Sequence, residues 1–144
     1  STARDILNGG GLLIGVDLQK PEDVLNLAYN DPEGVTAAFN LNMLTHLNRL
    51  VGADFDEQGF SHHAFFNREM ARIEMHLISR REQQVHIGGE TIYFAEGEAI
   101  HTESSHKYTL ESFAGLAEAA GWQTTETWCD RQQWFSLHLL SPRP

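Results

Sequence analysis

His101, Glu103 and Ser105 stand at alternate positions of a polar stretch, 99–106, whose pattern predicts a strand. Period-two geometry places these three on one face and Ile100, Thr102 and Ser104 on the other. A carboxylate and a hydroxyl two residues apart can hold an imidazole or an ammonium group by charge-assisted hydrogen bonds. The same pattern also suits a solvated strand with no ligand, and both readings stand at this point. Tyr29 closes a predicted helix just before Asn30-Asp31-Pro32. There its hydroxyl can meet a ligand carboxylate, or its ring can simply be half-buried. Met75 sits among apolar residues, where core packing is the default, although a thioether also adapts to flat rings.

Other reactive types offer less. None of the 8 histidines pairs with another at metalloprotease spacing on a predicted helix. His62 and His63 are adjacent, so a strand points them to opposite faces, and no metal site is expected. Cys129, beside Trp128, has no cationic neighbour in sequence to activate it and reads as inert. Gly9-Gly10-Gly11 precedes an apolar run, whereas a phosphate loop follows a strand and opens a helix, so this is a glycine turn.

The elements that must position these residues are legible. The apolar run 10–17 predicts a strand buried on both faces. Residues 2–8 look like the tail of a helix, which suggests chain upstream. Pro21 opens a helix over roughly 21–29, and a longer helix spans 33–51. Val35, Phe39, Met43, Leu47 and Leu50 form the apolar stripe of the longer helix, whose amide-rich polar side suggests cover on two sides. From 60 to 106 the period becomes two, broken at Gly88-Gly89 and at Ala95–Glu98, which predicts a small antiparallel meander. Thr109 caps a helix striped by Leu110, Phe113, Leu116, Ala117 and Ala120, and Gly121 stops it. Strands over 122–129 and 134–140 follow.

The chain has 144 residues, 10 Lys+Arg and 20 Asp+Glu, for a net charge of −10. That balance argues against nucleic acid and anionic membrane as partners, because both need clustered cations, and neither is expected. No apolar run approaches the ~20 residues that cross a bilayer. One cysteine excludes an internal disulfide framework. A cytoplasmic location is expected.

Several runs together resemble the histidine-specific S-adenosylmethionine-dependent methyltransferase family. They are Gly10–Leu18, Ala28-Tyr29-Asn30-Asp31, Val35–Asn42, Asn48-Arg49, Gly52–Phe55, Ile73-Glu74-Met75, Thr102–Tyr108 and Leu116–Trp122 with Trp128. The resemblance covers essentially the whole chain. It implies N-methylation of the α-amino group of histidine to hercynine, on the route to ergothioneine. It implies an α/β fold in which 1–18 and 107–144 are the C-terminal part of a Rossmann-like methyltransferase sheet. Residues 19–106 would be an inserted α+β substrate-binding lobe containing the meander. Tyr29 would hold the histidine carboxylate, Glu103 and Ser105 would recognise the imidazole, and Met75 would pack against the ring. No residue is expected to act as acid or base. The family's glycine-rich motif for S-adenosylmethionine lies upstream of the first strand and is not in 1–144, so the cofactor site is expected in a missing N-terminal part. The chain is therefore expected to be a C-terminal portion, inactive alone, with an exposed sheet edge that can pair with a second copy. Two other readings remain: a non-catalytic amino-acid-binding or interaction module, and a methyltransferase for another aromatic amino acid.

Overall fold

The computed structural model describes residues 10–143. The expected helical tail at 2–8 lies outside them. The elements are β1 (Leu12–Asp17), α1 (Glu22–Tyr29), α2 (Val35–Val51), β2 (Phe60–Asn67), β3 (Arg72–Ser79), β4 (Gln83–Ile87), β5 (Glu90–Phe94), β6 (Ala99–His106), α3 (Leu110–Ala119), β7 (Trp122–Cys129) and β8 (Phe135–Pro142). They make a mixed α/β chain with antiparallel sheets. No helix of the described residues is long and apolar enough to cross a membrane. The chain divides into two compact units, one of residues up to 20 together with those from 106, the other Pro21–Ser105.

The first unit carries a three-stranded sheet in the order β1-β8-β7. Val16, Leu18, Phe113, Ala117, Trp122 and Leu140 form its core. α3 begins with a reciprocal capping box: Thr109 Oγ1 accepts the Ser112 N–H, and Ser112 Oγ accepts the Thr109 N–H. Burial on both faces of β1 is not found. Its burial alternates, and Leu13 is 59% exposed. The register puts Leu13, Leu137, Phe135 and Trp128 on one open face, while Val16, Ser136, His138 and Leu140 turn to the core. An apolar run specifies a strand but not how many of its faces a neighbour covers. Gly15 is small for a reason: a Cβ there would lie 2.6 Å from the Phe135 ring.

In the second unit the expected meander is two sheets. β2-β3-β6 form one, and β4-β5 a separate hairpin. Gly88 and Gly89 both have positive φ, the conformation a two-residue primed turn requires. After the hairpin the chain returns to β3: the Ser79 N–H donates to Glu98 O, and Gly97 N–H to Ser79 O. Period and turn signals locate strands but do not say which neighbour each one pairs with. Phe55, Phe60 and Phe94 pack edge-on or tilted, with centroids 5.5–6.3 Å apart, beside Leu44, Leu77 and Val85.

α2 also departs from expectation. Its buried residues are Asn40 and Leu44, while Val35, Phe39 and Leu50 are more than 60% exposed. The helix is rotated from its most apolar stripe, and a polar residue faces the core. Its start is held by Asp31, whose carboxylate accepts the Val35 and Thr36 N–H groups at 2.7 and 2.8 Å. Hydrogen bonds from Thr36 and Val35 hold the Asp31 carboxyl down at about 2.

Candidate functional site

Tyr29 is the last residue of α1, and asparagine side chains stitch that end to β2. Asn30 Nδ2 donates to Ala64 O at 2.9 Å while its Oδ1 accepts the Ala64 N–H at 3.1 Å. Asn26 Oδ1 accepts the Phe66 N–H at 3.1 Å. β2 is an outer strand, and these amides fill the backbone positions that a further strand would. Tyr29 also packs against the buried cluster of Leu25, Ala64, Ile73 and Met75. From this position its hydroxyl donates to Ser105 Oγ at 2.9 Å.

Met75, in the middle of β3, is 2% exposed. It borders a cavity of about 330 Å³ together with Glu103, Thr102 and Asn40, and with Phe39, Asn42, Met43 and His46 of α2. A cavity of that size is at the small end of the range for small-molecule sites. The structure therefore joins Tyr29 to Ser105 and Met75 to Glu103, with the Met75 cluster packed on Tyr29.

The expected faces of 99–106 need correction. Ile100 and Thr102 are half-buried, as alternation requires, but Glu103 and Ser104 are both exposed and Ser105 is half-buried. His101 Nε2 lies 3.0 Å from the Glu103 carbonyl and from Ser104 Oγ. Ser104, not Ser105, thus sides with His101, and Ser105 turns to Tyr29. The strand slips phase by one residue, as an extra residue in a strand makes it do, and periodicity alone cannot register that slip.

His62 and His63 do face opposite ways. His62 bonds Asn40 and the Tyr29 carbonyl, whereas His63 lies against Phe65, whose ring stacks on His76. Sequence reasoning missed His62, Asn40 and Thr102. The signal for Asn40 is an amide set between Phe39 and Leu41 in an otherwise apolar stretch of helix. It also missed Glu74, which is buried with one oxygen held by Arg72 at 2.7 and 2.9 Å and by Asn67 at 3.0 Å. Its other oxygen meets His76 Nε2 at 3.1 Å. These bonds, those from Arg72 first, hold the Glu74 carboxyl at about 2. Glu74, His76 and His101 bring three ligand-type atoms within 4.8 Å of one another. The His76 and His101 rings, however, are stacked 4.7 Å apart at 14°, so no point lies in both ring planes where an ion could bind both.

Residues 1–142 match the family described as histidine-specific, SAM-dependent methyltransferase. The chain belongs to this histidine-specific methyltransferase family. It is 42% identical over 142 residues to a histidine N-alpha-methyltransferase of Mycolicibacterium smegmatis, covering 96% of this chain and 44% of that protein. It is 41% identical over 135 residues to the protein of the same name from Mycobacterium tuberculosis, covering 92% of this chain and 42% of that one. An Ergothioneine biosynthesis protein 1 of Neurospora crassa is 27% identical over 144 residues, covering 90% of this chain and 15% of that protein. The chain thus spans less than half the length of the relatives it matches. Methyltransferases of this family depend on S-adenosylmethionine. Among the described residues, the two connections from a strand into a helix, 18–21 and 107–109, contain no glycine, so neither is the glycine-rich turn expected to hold this cofactor.

Proposed function

We propose that residues 21–105 form the amino-acid-binding part of a methyltransferase that acts on the α-amino group of L-histidine, within ergothioneine biosynthesis. In this reading Tyr29 holds the substrate carboxylate, Glu103 and Ser105 recognise the imidazole, and Met75 supplies the wall against which the ring packs. Residues up to 18 and from 107 belong to a Rossmann-like methyltransferase domain, and 19–106 to the lobe inserted in it. The S-adenosylmethionine site lies outside 1–144, and the setting is cytoplasmic. The supporting observation is the convergence just described: the Tyr29–Ser105 hydrogen bond beside a cavity walled by Met75 and Glu103.

These residues bind and orient; none is asked to carry a proton in the reaction. An amine that is held still reacts with a fixed neighbour far faster than one that tumbles. Discrimination comes from the Glu103 carboxylate and the Ser105 hydroxyl, which an imidazole N–H or ring nitrogen can meet and a phenyl ring cannot. The test is calorimetric titration of the chain with L-histidine and with L-phenylalanine. Histidine binds the more tightly, and Glu103→Ala removes that preference. Equal affinity for both amino acids overturns the assignment. Turnover of labelled S-adenosylmethionine by the 144-residue chain would overturn the placement of the cofactor site.

We also propose that β1 pairs with a second chain. Within the described residues β1 is an outer strand, and the sheet face carrying Leu13, Leu137, Phe135 and Trp128 is open. A monomer in equilibrium sedimentation at every concentration tested overturns it.

A further inference from the structure

Asn40 is 3% exposed, and its amide is fully bonded. Its Nδ2 donates to the His76 carbonyl at 3.2 Å and to His62 Nδ1 at 3.0 Å, and its Oδ1 accepts the Thr102 hydroxyl at 2.7 Å. The His76 carbonyl can only accept, which fixes the amide in one orientation. His62 is fixed by the same logic. Its Nε2 lies 2.7 Å from the Tyr29 carbonyl and carries the proton, which leaves Nδ1 to accept from Asn40. Thr102 Oγ1 also lies 3.0 Å from the Met75 carbonyl.

The backbone atoms gripped by this network are the carbonyls of Tyr29, Met75 and His76, and Thr102 directly precedes Glu103. Three of the four proposed contact residues are thus bonded to the network or adjacent to one of its members. His62 is not among the residues that line the cavity. We infer that His62 is a positioning residue for the amino-acid pocket. Held as the Nε2–H tautomer between the Asn40 amide and the Tyr29 carbonyl, it sets where the Tyr29 hydroxyl stands relative to Ser105. Through Asn40 and Thr102 it is tied to the strand that carries Glu103. The inference rests on the reading of this pocket as an amino-acid site. Its chemistry is that of other buried networks: fully satisfied, they hold a single arrangement, and with one member removed the rest rearrange.

The test uses the ¹⁵N-labelled 144-residue chain, with L-histidine as the probe. Imidazole ¹⁵N shifts report a protonated Nε2 and a bare Nδ1 for His62, and the opposite tautomer overturns the inference. His62→Ala moves the Tyr29 ring resonances and weakens L-histidine binding roughly tenfold or more, as misplacement of a contact group does. His62→Gln offers an N–H to the Tyr29 carbonyl and an oxygen to Asn40, and restores the affinity to within about threefold. A variant that melts earlier but binds L-histidine as the parent does, with Tyr29 unmoved, shows a merely structural role and overturns the inference. If His62→Ala does not fold, Thr102→Val removes only a hydroxyl. It shifts the Met75 methyl resonance and weakens binding, and no change in either counts against the network. A parent chain that fails to bind L-histidine, while His62→Ala still moves Tyr29, refutes the pocket's assignment and leaves the positioning role intact.

Discussion

The two units bury polar groups for different ends. Around β1, β7 and β8 each bond joins two groups: Ser136 Oγ pairs with His138 Nε2 at 2.8 Å on the same strand, His138 Nδ1 lies 3.3 Å from Thr127 Oγ1 of the neighbouring strand, and Lys107, just past β6, meets Asp17 at the end of β1 at 2.7 Å. Asp17 is pushed up by burial, but hydrogen bonds from Lys107 and Lys20 outweigh that and hold it low. In residues 21–105 buried Glu74 also pairs along its own strand with Arg72 and His76, but the buried Asn40 and the half-buried His62 link several elements. Asn40 on α2 bonds β2, β3 and β6, and His62 on β2 bonds α1. A bond between two groups satisfies a buried group, whereas a group bonded to several elements fixes the relative placement of side chains. A site that must hold several groups in register needs the second kind.

The largest expected effect tests whether this polar framework still depends on an apolar core. Phe60 is 1% exposed and wedged between Phe55 and Phe94. Phe60→Ala costs about 3–5 kcal/mol in urea unfolding. Next comes the stitching of α1 to β2. Asn30→Ala leaves the Ala64 N–H and C=O without partners and costs about 1–3 kcal/mol, with weaker L-histidine binding by calorimetry. A stability loss with unchanged binding would separate the stitch from the site.

The third prediction separates the units by acid. Burial holds the His138 imidazole below its usual 6.5. The unfolded chain therefore takes up a proton first as pH falls, so stability is full above 6.5 and declines below it. Glu74 is held at about 2 against its usual 4.5, so its contribution is present above 4.5 and is lost between 4.5 and about 2. Thermal midpoints measured against pH for the parent, His138→Gln and Glu74→Gln check this: the first variant flattens the curve below 6.5, the second only below 4.5. The smallest effect is at the open face. Leu137→Ser, at a residue 39% exposed, changes stability by no more than about 0.5 kcal/mol but reduces self-association in sedimentation.

Local chemistry was readable from the sequence. The span of β6, the Thr109 cap, the Gly88-Gly89 turn and the extent of β7 all follow from period, caps and turn residues, which act over a few positions. The opposite facing of His62 and His63 followed from strand geometry alone. Tyr29, Met75, Glu103 and Ser105 were named through resemblance, and the residues around them did not single out Met75.

Tertiary structure decided the rest. It turned α2 so that Asn40 rather than the Val35–Phe39 stripe faces inward, because a polar node with three partners can be buried where a lone amide cannot. It paired β6 with β3 instead of β5 and shifted the phase of β6 so that Ser105 meets Tyr29. It left Leu13 in the open, although a buried strand would read the same. In each case the deciding partner lies far along the chain, and a periodic pattern carries no information about which distant segment will arrive beside it.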